Sequence, residues 1–215
     1  MLDAARMRDH WWPRPGWRPG RHVYTWHLTF EHDGELQEHV RRYQAALTGP
    51  HLHLVPPQWL HLTVQSLGYA DEISNQDRDT AVRSVSTALQ AIPPFTVSFG
   101  RPVVRSEAVA MSPTPAEPVH ELLAAIRAGI ADALGHNAVQ TGPEQANGFR
   151  PHVSIAYSGI DQDAAPTSTA LDEAQRQIGT VTVPVTAVSL IKQERLLGPH
   201  WLYRWTTVAT APLGR

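Results

Sequence analysis

The spacing of apolar residues along the chain predicts alternating strands and helices. Short runs rich in β-branched and aromatic residues are typical of strands, and apolar residues that recur every three or four positions are typical of amphipathic helices. This pattern predicts strands at residues 22–30, 60–67, 95–104, 107–111, 151–157, 180–193 and 201–209. It predicts helices at residues 36–47, 71–91 and 118–134, and a weaker helix at residues 170–178.

The order of these elements indicates the fold class. Strands and helices are interleaved, but several neighbouring strands are joined by short loops, and the segments 95–104 and 107–111 are expected to pair with each other. Short connections suit antiparallel neighbours, because parallel strands need long crossovers. The sequence therefore favours an α+β fold with mixed or antiparallel sheets over a doubly wound parallel sheet.

The two ends of the chain show neither the helical nor the strand spacing of apolar residues. Residues 1–21 are rich in Trp, Pro and Arg and predict an irregular arm. We expect one folded domain at residues 22–210, followed by a short tail at residues 211–215. The tryptophans of the arm could cap a cleft or bind a partner, but packing of the arm onto its own body is the favoured interpretation.

Composition narrows the possible functions. The chain has 215 residues, 42% hydrophobic and 18% charged, which is typical of a soluble folded domain. Its formal net charge of −2 provides no strong basic field for binding long nucleic-acid duplexes. The absence of Cys excludes disulfides, thiolate catalysis and Cys-ligated zinc. No apolar run reaches the roughly 18–20 residues that a membrane helix needs. The start of the chain lacks a signal-peptide pattern, so we expect a cytoplasmic protein that does not bind membranes.

Two short motifs carry the candidate chemistry. One is H-L-T at residues 61–63 and the other is H-V-S at residues 152–154, and each lies inside a predicted strand. Because strand side chains alternate between faces, each His and the hydroxyl residue two positions later point to the same side. Each motif therefore combines an imidazole, which can act as acid or base near neutral pH, with a neutral hydrogen-bond donor.

The two motifs together would suit displacement at phosphorus. If the two strands face each other, the site contains His61, His152, Thr63 and Ser154. One imidazole can take a proton from the nucleophile and the other can protonate the leaving oxygen. The hydroxyls can donate hydrogen bonds to the non-bridging phosphate oxygens as charge builds on them. This chemistry requires no metal ion and no other cofactor.

A single H-x-S/T pattern carries little information in a chain with 12 histidines, but the flanking residues add to it. Residues 61–68 (HLTVQSLG) and residues 151–157 (PHVSIAY) resemble the two signature motifs of the 2H phosphoesterase superfamily. Within that superfamily they are similar to the branch of 2′-5′ RNA ligase-like and cyclic phosphodiesterase proteins. The resemblance covers roughly residues 22–210 and leaves the arm outside.

This resemblance implies a bilobed fold in which two pseudo-symmetric halves each present one motif to a central cleft. It implies that His61 and His152 are the catalytic pair and that Thr63 and Ser154 hold the phosphate. It also implies activity on 2′,3′-cyclic phosphates or 2′-5′ linkages. Tyr157 matches an aromatic residue that some cyclic phosphodiesterases place beside the phosphate, whereas some RNA ligase-like members have Arg at this position.

Three more residues are candidates for substrate binding. Trp26 and His27 on the first strand, and Arg105 before residues 107–111, could stack on or clamp a nucleotide. Core packing is an equally good interpretation of Trp26. A solvated loop charge is the favoured interpretation of Arg105.

A metal site is the less favoured alternative for another group of histidines. His51 and His53 can share one face of a strand and might bind zinc together with His61. Zinc sites usually have a further protein ligand and an ordered outer shell, and the sequence indicates neither. We therefore predict no bound metal.

The sequence thus predicts a phosphodiesterase that acts on a nucleotide or RNA-end phosphodiester. RNA end joining through 2′-5′ linkages at the same site is an alternative, and so is a module that binds a nucleotide without turning it over. The sequence does not distinguish hydrolysis from ligation or a 2′-phosphate product from a 3′-phosphate product. It does not indicate which histidine is the acid, nor does it indicate any protein partner.

Overall fold

The strand-forming segments pair into antiparallel sheets in a computed structural model that describes residues 3–140 and 148–214. The strands are β1 Arg6–Met7, β2 His22–Thr29, β3 Leu52–Leu54, β4 His61–Tyr69, β5 Phe95–Phe99, β6 Val103–Val104, β7 Ala108–Met111, β8 Pro113–Thr114, β9 Val153–Ser158, β10 Gln162–Asp163, β11 Val181–Val185, β12 Ala187–Leu196 and β13 Leu202–Pro212. The helices are α1 Gly34–Gln44, α2 Asn75–Leu89, α3 Glu117–Leu134 and α4 Ala165–Gln175. The first two residues of the predicted arm, the segment 141–147 and the last residue of the predicted tail lie outside the described residues.

The main sheet has two halves. Its strand order is β13-β12-β2-β4-β9-β7-β6, and β3 pairs with β9 at the side of the second half. The first half contains β13, β12, β2 and β4, and the second half contains β9, β7, β6 and β3. The two halves meet where Leu62 on β4 lies opposite Val153 on β9. A smaller sheet has the order β11-β5-β8, and β1 pairs with β10. This arrangement confirms the predicted α+β fold with mainly antiparallel sheets.

Helices cover one face of the main sheet. α2 and α3 pack against each other and against the first half of the sheet, and α1 contacts the small sheet and α4. Gly129 on α3 allows the close approach of α2, because a Cβ atom there would lie 2.7 Å from the Cα atom of Val85. Leu62 and Val153, which join the two halves, are fully buried on this covered face. The opposite face of the sheet is therefore the one that can carry the site.

Capping residues explain where two helices begin. Asp33 accepts a hydrogen bond from the backbone N–H of Leu36 at 2.8 Å. Ser74 accepts one from the backbone N–H of Asp77 at 3.0 Å, so α2 begins at residue 75 rather than at the predicted residue 71. Such caps satisfy amide groups that have no partner inside the helix.

Two predicted strands are each divided between two sheets. The segment 95–104 contains β5, which lies in the small sheet, and β6, which pairs with β7 in the main sheet. The break falls at residues 100–102, where Pro102 has no N–H to continue a ladder. The segment 180–193 divides in the same way at Thr186 into β11 and β12. The predicted pairing with residues 107–111 therefore holds for β6 alone.

Within the described ranges, no helix has both the length and the apolar character needed to cross a lipid bilayer.

Candidate active site

The pairing between β4 and β9 brings the two motifs together. Because the strands are antiparallel and Leu62 lies opposite Val153, His61 lies opposite Ser154 and Thr63 lies opposite His152. The two histidines therefore lie diagonally across this pair, near enough for the charge of His152 to lower the pKa of His61. All four motif side chains project from the face opposite to the buried pair that joins the strands.

His61 is held in one tautomer by the turn that precedes its strand. Its Nδ1 atom lies 2.8 Å from the carbonyl oxygen of Trp59, two residues earlier. A carbonyl can only accept, so Nδ1 carries the proton and Nε2 keeps its lone pair. The ring stacks on His27 with a centroid distance of 4.5 Å and an interplanar angle of 5°. The ring of Trp205 meets it edge-on at 5.1 Å.

His152 repeats this arrangement in the second motif. Its Nδ1 atom lies 2.8 Å from the carbonyl oxygen of Arg150, again two residues earlier, and 3.3 Å from Nη1 of Arg105. Nδ1 cannot both donate to the carbonyl and accept from the guanidinium, and the shorter contact favours donation to the carbonyl. His152 precedes β9 by one residue, so its predicted place inside the strand is corrected by that one position. In both motifs, the carbonyl group two residues before the histidine thus orients its imidazole ring.

Burial changes the acid–base properties of His61. The side chain is 9% exposed, and burial lowers its pKa from 6.5 to about 4. The hydrogen bond to the carbonyl of Trp59 opposes this shift, and the nearby charge of His152 adds to it. His61 is therefore neutral at pH 7 and able to accept a proton at Nε2.

The hydroxyl of Thr63 contacts a third histidine. Thr63 is exposed, and its Oγ1 atom lies 3.1 Å from Nε2 of His27 on the neighbouring strand β2. His27 is fully buried, which holds its pKa well below the ordinary value and keeps it neutral. Ser154, in contrast, is 8% exposed. His27 thus lies beneath the site and supports both His61 and Thr63, so its predicted direct contact with substrate is corrected.

Two of the other predicted substrate-binding residues are buried against other parts of the protein. Trp26 lies opposite Leu190 and is fully buried in the core. As adjacent strand residues, Trp26 and His27 point to opposite faces of the sheet. Tyr157 is 6% exposed, and the ring of His10 stacks on it with a centroid distance of 4.1 Å. Core packing replaces the substrate contact that we predicted for Trp26, whereas the contact predicted for Tyr157 remains a prediction.

Arg105 is the predicted binding residue that lies beside His152. Besides its contact with His152, it donates a hydrogen bond from Nη2 to Oγ of Ser112 at 3.1 Å. It is partly exposed. Its guanidinium group therefore brings a positive charge to the site.

Trp205 is a site residue that the sequence did not identify. It lies on β13, two strands from β2 in the sheet, and its ring contacts His61, His27 and Trp59. The only sequence signal is an aromatic residue in a strand, which does not indicate which strand lies next to it. The order of strands in the sheet creates this contact.

No metal site is formed by the described side chains, since among residues 3–140 and 148–214 no three His, Asp or Glu residues converge. His53, which we considered as a zinc ligand, accepts a hydrogen bond from Nε1 of Trp11 at 2.8 Å. Its ring also stacks on Trp201 at 5.3 Å. His53 thus contributes to packing against the arm.

Solved structures share this fold. TT0787 of Thermus thermophilus has a TM-score of 0.66 and 20% sequence identity, over 89% of this chain and 97% of its own. E. coli LigT complexed with ATP has a TM-score of 0.63 and 15% identity, over 91% of this chain and 99% of its own. A phosphoesterase has a TM-score of 0.59 and 18% identity, over 90% of this chain and 99% of its own.

The sequence itself identifies the family. No curated protein matches the chain significantly. A family model described as the 2′-5′ RNA ligase superfamily matches residues 32–196, which include both H-x-S/T motifs. This match confirms the resemblance to the 2H phosphoesterases, and the chain belongs to the 2′-5′ RNA ligase superfamily.

Proposed function

We propose that this protein is a metal-independent phosphodiesterase that hydrolyses 2′,3′-cyclic phosphate or 2′-5′-linked nucleotide and RNA-end substrates. The carrying observation is the register of β4 and β9, which places two oriented imidazoles and two hydroxyls on one face. Membership in the 2′-5′ RNA ligase superfamily supports a phosphoesterase or a ligase-like activity. E. coli LigT, which shares the fold, has been solved with ATP and with 3′-AMP, and this supports a nucleotide as the ligand.

In the proposed mechanism His61 is the base. It is neutral at pH 7, and its Nε2 takes a proton from a water molecule as the water oxygen attacks phosphorus. His152, carrying a proton on Nε2, gives it to the ribose oxygen as the P–O bond to that oxygen breaks. The product is a phosphate monoester. The proton on His61 and the one lost from His152 are then exchanged with solvent.

Thr63 supplies a donor for the phosphate, and His27 orients it. Nδ1 of His27 is buried and has no hydrogen-bond partner among the described residues. The neutral His27 ring carries one proton. That proton is best placed on Nε2, because there it can be donated to Oγ1 of Thr63. The hydroxyl hydrogen of Thr63 is then left to donate to a phosphate oxygen. Arg105 adds a positive charge on the His152 side of the site.

The same site supports joining of RNA ends through 2′-5′ linkages as a second candidate. Ligation is the reverse reaction, with the acid and base roles of the two histidines exchanged, and the description of the family includes ligases. A module that only binds a nucleotide is less well supported, because binding alone does not require two oriented imidazoles. Product analysis with a pair of tRNA halves distinguishes joining from hydrolysis.

The proposal is tested by the hydrolysis of 2′,3′-cyclic AMP in the presence of EDTA. We expect turnover that EDTA does not reduce, with the 2′- and 3′-monophosphate products resolved by chromatography. Addition of Mg²⁺ or Zn²⁺ is the matched control. Activity that EDTA abolishes and metal restores would contradict a metal-independent mechanism. Tight binding without turnover of cyclic mononucleotides, 2′-5′ dinucleotides or RNA ends would favour the binding module.

The pH dependence should reflect the depressed pKa of His61. Because its pKa is about 4, His61 stays neutral well below pH 6.5. If His61 is the base, the acid limb of kcat/KM should lie near pH 4, and the rate should not fall as the pH drops from 7 to 6. A titration of the His61 ring by NMR in the free protein should give the same value. A midpoint near 6.5 in either measurement would contradict the depressed pKa of His61.

A further inference from the structure

The N-terminal arm lies on the same face of the sheet as the catalytic histidines. On β13, Trp205 and Tyr203 are two residues apart and therefore share a face. Trp205 contacts His61, whereas Tyr203 contacts the arm through the ring of Trp11, with a centroid distance of 5.5 Å. The arm thus crosses the site face at Tyr203, whose backbone position lies about 7 Å along β13 from that of Trp205.

The arm contacts both halves of the main sheet. In the second half, His10 stacks on Tyr157 of β9, and its backbone N–H donates to the carbonyl oxygen of Ser158 at 2.8 Å. In the first half, Nη2 of Arg195 on β12 donates to the carbonyl oxygen of His10 at 3.2 Å and to that of Trp12 at 3.1 Å. The arm therefore bridges the two halves at one end of the cleft.

Glu107, which immediately precedes β7, binds the arm through its side chain. Its carboxylate accepts hydrogen bonds from Nη2 of Arg14 at 2.6 Å and from Nε1 of Trp12 at 3.0 Å. Nδ1 of His10 lies 3.2 Å from the same carboxylate. Burial raises the pKa of Glu107, but these partners outweigh it and the net shift is downward, so the carboxylate is charged at neutral pH.

Burial shows which parts of the arm are integrated into the body. Met7 is fully buried, His10 is 8% exposed and Trp11 is 5% exposed, whereas the adjacent Trp12 is 41% exposed. The ring of Trp11 lies among Tyr203, Tyr157 and Trp201, and its Nε1 donates to His53. His10 and Trp11 therefore form a packed wall, which we call the end wall.

We propose that the end wall determines substrate length, so that this protein favours a phosphodiester carried by one or two nucleotides over one at the end of a longer strand. Trp205 contacts His61 and Tyr203 contacts the end wall, and the spacing of about 7 Å between these two strand positions is close to the length of two stacked bases at their ~3.4 Å rise. A strand that continued past the wall would have to displace Trp11 from its aromatic contacts. This inference rests on the proposed function, since it describes the specificity of the same site.

The test compares two substrates in the full-length protein: 2′,3′-cyclic AMP and a hexanucleotide that ends in a 2′,3′-cyclic phosphate. The measured quantity is the ratio of kcat/KM for the hexanucleotide to kcat/KM for the mononucleotide. In Trp11→Ala we expect this ratio to rise about tenfold or more, which corresponds to about 1.4 kcal/mol. In the control Leu197→Ala, which shortens a 40% exposed apolar side chain outside the arm and the site, we expect a change within about twofold.

A second variant protects the test against loss of folding. Glu107→Gln keeps the shape of the side chain but removes the charge that Arg14 contacts, so the ratio should rise in the same direction by a smaller factor. Thermal unfolding establishes that each variant is folded. An unchanged ratio in both folded variants would overturn the proposal.

Measurements of nucleotide binding distinguish failure of the end-wall proposal from failure of the proposed function. If the wild type turns over neither substrate, the proposed function has failed. The end wall is then tested by the binding of a mononucleotide and a hexanucleotide that carry a 3′-phosphate. Selective gain of hexanucleotide binding in Trp11→Ala would still support the end wall, whereas equal affinities in all variants would overturn it.

Discussion

Replacement of His61 or His152 by alanine is expected to lower kcat/KM for a cyclic phosphodiester by at least about 10²–10⁴, the range typical of lost acid–base catalysis. Each variant removes the Nε2 atom that exchanges a proton with water or with the leaving oxygen. The effect should be similar for His61 and His152, because hydrolysis needs both the base and the acid. The measurement is steady-state hydrolysis of 2′,3′-cyclic AMP in EDTA.

Two controls separate chemistry from folding. His51→Ala removes an exposed histidine outside the site and should leave kcat/KM unchanged. His61→Asn keeps a side-chain N–H that can donate to the carbonyl of Trp59 but has nothing at the position of Nε2. It should be folded and nearly inactive. Wild-type activity in a folded His61→Ala or His152→Ala variant would refute the two-histidine mechanism.

The second large effect is expected at Thr63. Thr63→Val keeps the shape of the side chain but removes the hydroxyl that donates to the phosphate, and we expect kcat to fall by about 10²–10³, as for a lost oxyanion donor. KM should change less, because the hydrogen bond strengthens as charge builds in the transition state. Thr206→Val on β13 replaces another exposed threonine and is the matched control.

The effect of His27 should depend on Thr63. His27→Phe keeps an aromatic ring against His61 but removes the Nε2–H that Thr63 accepts, so kcat should fall. In a Thr63→Val background the same substitution should add little, because the hydroxyl that His27 orients is already absent. His27→Gln, which offers an amide N–H, should restore part of the rate. Additive effects in the double variant would show that His27 acts independently of Thr63.

Local pattern was sufficient to predict that each motif places a histidine and a hydroxyl on one face of its strand. An H-x-S/T triplet in a strand places the histidine and the hydroxyl on one face, whatever the strand pairs with, because strand side chains alternate. The apolar residues between them, Leu62 and Val153, had to face the core, and both are fully buried. Helical periodicity likewise predicted α1, α2 and α3 to within a few residues.

Tertiary structure decided the roles of several other residues. Trp26 and His27 are adjacent in sequence, and alternation shows only that they point to opposite sides. Which side faces the helices depends on the sheet, and it is the side of Trp26. Tyr157 carries the same sequence signal as an aromatic residue in an open cleft, but a segment from the far N-terminal end of the chain covers it.

The sequence by itself determined the family, the fold class, the two motifs and the face that each motif shares, because these depend on residue types at short spacing. Only the tertiary structure decided that Leu62 lies opposite Val153, that the pKa of His61 falls to about 4, that His27 contacts Thr63 and that the arm packs on Tyr157. These features arise from contacts between distant segments. Strand register, burial and aromatic stacking between such segments depend on the complete packed arrangement, which no local pattern specifies.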